Sequence, residues 1–177
     1  MNARCLAAAL LLALPAAAQD APAGIAAWDS VRPSADPLAP EALAAKAGWT
    51  AIARDQTVAS FKGDAVVTNG RILAVARAQG QGLDVYSVTP EKTQLRARIA
   101  LLGAGAAAPA RLDRAALTEN GRGGASLEVA WKTSKGAELS AKFRLKRGDV
   151  SVETVARRIA SGVNGRGTVP PLRHRSI

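Results

Sequence analysis

The chain has 177 residues, of which 48% are hydrophobic, enough for one globular domain with flexible ends. Its formal charge is +10, yet it holds one cysteine, Cys5, and one histidine, His174. That inventory excludes a disulfide framework and leaves Cys/His zinc sites, Ser/His/Asp triads and Cys/His pairs without the groups they need.

Residues Met1 to Ala18 read as a secretory signal peptide. Arg4 supplies a positive start, Cys5 to Leu14 an apolar run, and Ala16-Ala17-Ala18 the small residues that a signal peptidase requires. The run is shorter than the about 20 apolar residues of a spanning helix and is broken by Pro15, so no transmembrane segment is expected once the signal is cleaved. Cys5 lies at the beginning of the run, whereas a lipoprotein needs its cysteine at the end. The expected location is secreted or periplasmic. Cleavage would remove Cys5 and, with Arg4, lower the charge to +9. Arg157, Arg158, Arg166, Arg173 and Arg175 all follow Thr154, which leaves +4 for residues 19–154. A mildly basic exported domain without clustered aromatics between its arginines points away from nucleic acid and toward polysaccharide or an acidic envelope surface. A solvated basic face is the plainer reading of the same charge.

Residues 19–39 form a Pro/Ala-rich stretch in which Pro22, Pro33 and Pro37, with Pro40 just beyond, disfavour a long helix or a paired strand. A linker is expected there, with Trp28 as an aromatic that could dock on the domain surface. Pro40 to Ala47 has proline and glutamate first, alanines throughout and Gly48 as a stop, the asymmetry of a short helix.

Strand patterns follow. Val66-Val67-Thr68 and Arg71 to Val75 flank Asn69-Gly70, which predicts a hairpin with a type I′ turn. Gly80-Gln81-Gly82 turns the chain into Leu83 to Val88, which Pro90 ends. Leu95, Ala97, Ile99 and Leu101 alternate with Arg96, Arg98 and Ala100. After a Gly/Ala-rich loop, Gly103 to Ala110, the stretch Arg111 to Thr118 is a weaker strand. Leu127, Val129 and Trp131 alternate with Ser126, Glu128 and Ala130; Leu139, Ala141, Phe143 and Leu145 alternate with Ser140, Lys142 and Arg144. Val150 to Thr154 closes the series, and the alternation stops at Val155. The predicted fold is all-β, an antiparallel β-sandwich over residues 40–154 led by a short helix, with a basic disordered tail over 155–177. The large core contributions are expected from Trp49, Phe61, Tyr86, Trp131 and Phe143.

Few motifs carry chemistry. Carboxylate pairs remain open for glycosidase-type work, with Glu119, Glu128, Glu138, Asp64 and Asp84 as candidates, but each also reads as a residue of a wet face, a strand end or an exposed position. Gly121-Arg122-Gly123-Gly124 lacks the Lys-Ser/Thr continuation of a phosphate loop and reads as a strand connection. Trp131 is in phase with core residues, whereas Tyr86 is out of phase with Leu83 and Val85, which makes it, with Trp28 and Trp49, a candidate for an exposed ring.

Phe61 to Val75, Leu83 to Ser87 and Phe143 to Val150 resemble uncharacterised secreted proteins of planctomycete-type bacteria. Their opening strands are similar to the N-terminal β-sandwich of secreted carbohydrate-active enzymes of the galactose-mutarotase-like supersandwich kind. The resemblance spans about Trp49 to Glu153 and implies a supersandwich-like fold and a carbohydrate-related role. Such proteins continue with further strands where this chain enters its arginine-rich tail, so a truncation or frame shift near Thr154 is expected. The sequence reading is an exported, non-catalytic module with Tyr86, Arg96, Arg98 and Trp131 as candidate ligand-binding residues, no metal and no cofactor. The alternatives are the truncated N-terminal domain of a secreted polysaccharide lyase or glycoside hydrolase, and an envelope-associated structural protein.

Overall fold

The computed structural model describes residues 24–103 and 108–157. The predicted signal peptide and most of the predicted tail lie outside them. The fold is an all-β sandwich of two antiparallel sheets. The first sheet is built from β1 (Ala26–Asp29), β2 (Thr50–Ile52), β3 (Ala65–Thr68), β4 (Ile72–Ala76), β5 (Leu83–Val88) and β6 (Thr93–Ile99), in the order β2-β1-β3-β4-β5-β6. The second holds β7 (Pro109–Asn120), β8 (Gly124–Thr133), β9 (Glu138–Lys146) and β10 (Glu153–Arg157), in the order β10-β9-β8-β7. One short helix, α1 (Pro40–Ala45), lies between β1 and β2 in the chain.

The main core forms where the inner faces meet. Val67, Ala74 and Leu83 of the first sheet pack with Leu117, Leu127, Val129, Trp131, Phe143 and Leu145 of the second. The Trp131 and Phe143 rings meet edge to face, centroids 6.0 Å apart at 81°, a favourable arrangement for aromatic quadrupoles. In the second sheet the predicted alternation holds for β8 and β9, because their other face meets solvent through Glu128, Lys132, Lys142 and Arg144.

The first sheet differs, because its central strands β3 and β4, with the start of β5, are buried on both faces. Val66, Leu73, Val75 and Tyr86 point away from the sandwich core into a second cluster with Leu43 of α1, flanked by Trp28, Leu38 and Trp49. This explains the unbroken apolar run of β4, a pattern of strands covered on both sides. It also corrects the reading of Tyr86: the ring is out of phase with the main core, but the outer face is roofed by the segment carrying α1, and Tyr86 is 1% exposed.

Four further expectations are corrected. The predicted linker over 19–39 contains β1, which pairs with both β2 and β3; its strand residues, Ala26 to Asp29, fall between Pro22 and Pro33, so no proline interrupts the ladder. The predicted tail begins inside a strand, since Val155 and Ala156 belong to β10 and pair with Lys142 and Ala141; this outermost strand has largely exposed side chains, so no alternation marks it. In β6 a bulge slips the register between the Val85–Ala97 and Tyr86–Leu95 pairs, so Leu95 is placed opposite Tyr86 on the outer face and is 40% exposed. In the β3–β4 turn positive φ belongs to Gly70 (87°) and not to Asn69, so the loop is not the type I′ turn expected; Gly70 stands first, as in type II′ turns.

Helix α1 starts at Pro40 without a side-chain cap and ends as Lys46 turns left-handed, with φ 47°. Leu43 is its one buried side chain. A six-residue helix has no independent stability, so it is held by Leu43 against the sheet.

Candidate functional site

The residues of the Phe61-Lys62-Gly63-Asp64 stretch turn out to hold the segment that roofs the first sheet. Asp29 accepts from the backbone N–H groups of Val31, Lys62 and Gly63. The Ser30 hydroxyl accepts from the Asp64 N–H and donates to the Arg32 carbonyl. Asp64, fully buried, accepts from the backbone and hydroxyl of Ser34 and from the Ala78 N–H. A side chain at Gly63 would collide with this loop, its Cβ falling 2.5 Å from Ser30 Oγ.

A second polar group crosses β4, β5 and β6 on the same outer face. Asp84, fully buried, receives Arg77 Nε at 2.7 Å and the Arg98 guanidinium through Nε and Nη2. Arg77 is itself 3% exposed and donates to the Ala35 carbonyl, tying the roof to the sheet. The Arg98 side chain is 41% exposed, and its hydrogen bond to Asp84 raises its pKa. Burial, with Asp84 adding to it, pushes the Tyr86 phenol up to about 12. Asp64 and Asp84, read from sequence as strand-end or exposed carboxylates, are instead fully buried and saturated with donors.

The four predicted ligand-binding residues therefore do not form a site. Tyr86 and Arg98 lie on the outer face of the first sheet, where Tyr86 is covered and Arg98 is committed to Asp84. Arg96, at the bulge, donates to Ser87 Oγ at 2.8 Å. Trp131 is fully buried in the other sheet's inner face. Among the candidate carboxylates, Glu119 also spends both oxygens, on Ser126 and on Arg144, and its pKa is lowered chiefly by the Arg144 hydrogen bond. Among the described residues no group of three or more His, Cys, Asp or Glu side chains could hold a metal ion, and no helix is long and apolar enough to cross a membrane.

The structure offers a different site. Where the roof stops short of the sheet's end, a groove of about 700 Å³ opens between α1 and the β5–β6 turn, within the about 300–1,000 Å³ usual for ligand clefts. Trp28 and Val88 line it half-buried, with Leu43 and Leu73 buried beneath them. Trp28 is half-buried, and the Lys46 ammonium sits 5.0 Å from its ring centroid, a cation–π contact. Burial lowers the Lys46 pKa. The rim carries both signs of charge, Glu41 and Lys46 from the helix side and Glu91 and Lys92 from the turn. That turn is closed by Thr89, whose N–H donates to the Lys92 carbonyl and whose hydroxyl accepts from the Lys92 N–H. Trp28 was noticeable in the sequence as the lone aromatic of a Pro/Ala-rich stretch. Lys46 and Lys92 carried no signal, because their place depends on how the roof packs.

Comparison with protein-family models, curated proteins and solved structures finds no match to this chain.

Proposed function

We propose that this chain is an exported, non-catalytic β-sandwich module that binds polysaccharide in the groove between α1 and the β5–β6 turn. The observation that supports this reading is the half-buried Trp28 ring in an open cleft with a polar rim. The part of the Trp28 indole left uncovered by Lys46 offers an apolar surface to a pyranose, while Thr93, Gln94 and the charged rim supply hydrogen bonds to hydroxyls. The opposed charges of Glu41, Lys46, Glu91 and Lys92 balance, which favours a neutral chain over a strongly charged one. The reading of Met1 to Ala18 as a secretory signal supports a role outside the cytoplasm, where polysaccharides are met.

The test is a glycan array followed by affinity electrophoresis of the full chain in gels containing neutral polysaccharides. Retardation that is abolished by Trp28→Ala and weakened by Gln94→Ala is the expected result. Binding untouched by Trp28→Ala would place the ligand elsewhere, and turnover of any polysaccharide by the purified chain would overturn the non-catalytic reading.

A further inference from the structure

A second depression of about 360 Å³ lies at the end of the sandwich and is lined by Gly24, Ile25, Arg54, Arg122 and Arg147. Three arginines thus border one small cavity, from three different turns. Elsewhere among the described residues, ion pairs engage Arg77, Arg98, Lys132, Arg144 and Lys146. Among the described residues, no carboxylate pairs with Arg54, Arg122 or Arg147.

The backbone around these arginines is fixed independently of any ligand. Asn120, buried at the end of β7, donates through Nδ2 to the Ala53 carbonyl at 2.8 Å, and its own carbonyl accepts from the Asp55 N–H at 2.8 Å. Arg54 is clamped between those two contacts. Arg122 sits in the β7–β8 turn, closed by the Gly121 N–H on the Gly124 carbonyl. The Arg147 N–H donates to the Gly123 carbonyl, joining the β9–β10 turn to the β7–β8 turn. Asn69 Nδ2 holds that same turn by its Lys146 and Asp149 carbonyls.

Like charges brought together repel unless an anion intervenes, and guanidinium forks match the geometry of oxyanions. We propose that the Arg54–Arg122–Arg147 pocket is an oxyanion site that takes a single sulfate or phosphate group, free or as an ester on a larger molecule. The pocket has one apolar side chain, Ile25, at its wall. The site is distinct from the Trp28 groove, and neither reading depends on the other.

The experiment titrates the full chain with sodium sulfate and with inorganic phosphate at constant ionic strength, balanced with chloride. It reads arginine Nε–H NMR shifts and the thermal midpoint. Saturable shifts of three arginine resonances are expected, with the dissociation constant raised at least about tenfold in each of Arg54→Gln, Arg122→Gln and Arg147→Gln, as the loss of a hydrogen bond to a charged group entails. Because these side chains are exposed, the variants should keep the anion-free midpoint within about 2 °C. Trp28→Ala should leave the anion titration unchanged, which separates failure of this site from failure of the groove. Dextran sulfate against dextran, and phosphatidylglycerol against phosphatidylcholine vesicles, then distinguish a sulfated glycan from a lipid phosphate as the ester source; free-anion binding with neither leaves the site as one for the free anion. A sulfate effect that does not saturate and is equal in the three variants is salt exclusion, and overturns the proposal.

Discussion

Asn69 is one residue that ties the two sheets together, and removing its amide tests that directly. Its side chain is 3% exposed and makes four hydrogen bonds. Oδ1 accepts from the Arg71 and Ile72 N–H groups at 3.0 and 2.8 Å, closing the β3–β4 turn. Nδ2 donates to the Lys146 and Asp149 carbonyls, both at 2.8 Å, across to the second sheet. At a net contribution of about 1 kcal/mol per bond, Asn69→Ala should cost about 4 kcal/mol. That is a large part of the about 5–15 kcal/mol that holds a typical domain folded. Asn69→Asp separates the two halves of the account. It keeps the acceptor pair but turns the donor end into a carboxylate oxygen facing two carbonyls, so it should be at least as damaging as alanine at pH 7. The fold then favours the protonated acid, so the folded pKa of the new aspartate lies above its unfolded value of about 3.9. The sign follows: the penalty relative to the parent is smallest below that unfolded value and grows as pH rises through the folded pKa. Urea unfolding of parent and both variants at pH 7 and at pH 4 measures this. A parent-like Asn69→Asp at pH 7, or a penalty that does not shrink toward pH 4, would refute the donor role.

Three other outcomes follow from the packing. Gly63→Ala places a Cβ 2.5 to 2.7 Å from Ser30 Oγ, Arg32 N and Val31 C and should cost about 1–3 kcal/mol in urea unfolding; Gly123→Ala, with no atom within 4 Å of the added methyl, should be neutral or stabilising by up to about 1 kcal/mol, and equal effects would show that the roof loop can give way. Asp84→Ala strands Arg77, whose side chain is 4% exposed, and should cost about 3–5 kcal/mol, whereas Arg98→Ala, at a side chain 41% exposed, should cost less than about 1 kcal/mol; the reverse order by chemical denaturation would put the buried pair elsewhere. Tyr86 is the chain's one tyrosine, so phenolate absorbance reads it alone. A native midpoint near 12 that falls to about 10 in guanidinium is expected. Because the fold holds the proton, stability is lost as pH rises from about 10 toward that native value. A native midpoint near 10 would show the hydroxyl to be open to water.

The strands that were legible are those with one wet face. In β8 and β9 the large inward residues alternate with small or polar outward ones, Glu128 and Ala130 in β8 and Ser140, Lys142 and Arg144 in β9, and period two can be read straight from Leu127 to Trp131 and from Leu139 to Leu145. Strand β7 read as weak, yet it is the longest, because its register slips three times and Leu112, Ala115 and Leu117 return to the core at unequal intervals. Tyr86 was misplaced for a different reason. Its phase was correct, but the partner that covers it, Leu43, stands more than forty residues away in a stretch whose prolines suggested a linker. No periodicity within one strand reports what lies on its far side. The Trp28 groove has the same origin, since it exists only where that cover ends. The arginine pocket was closer to being readable. The successive strands β7, β8, β9 and β10 are antiparallel, so alternate turns must return to the same end of the molecule. Gly121-Arg122-Gly123 and Arg147-Gly148 are alternate turns of that meander. Arginine recurring in turns of one parity is therefore a pattern of placement, and it brings charge together in space without any local motif to announce it.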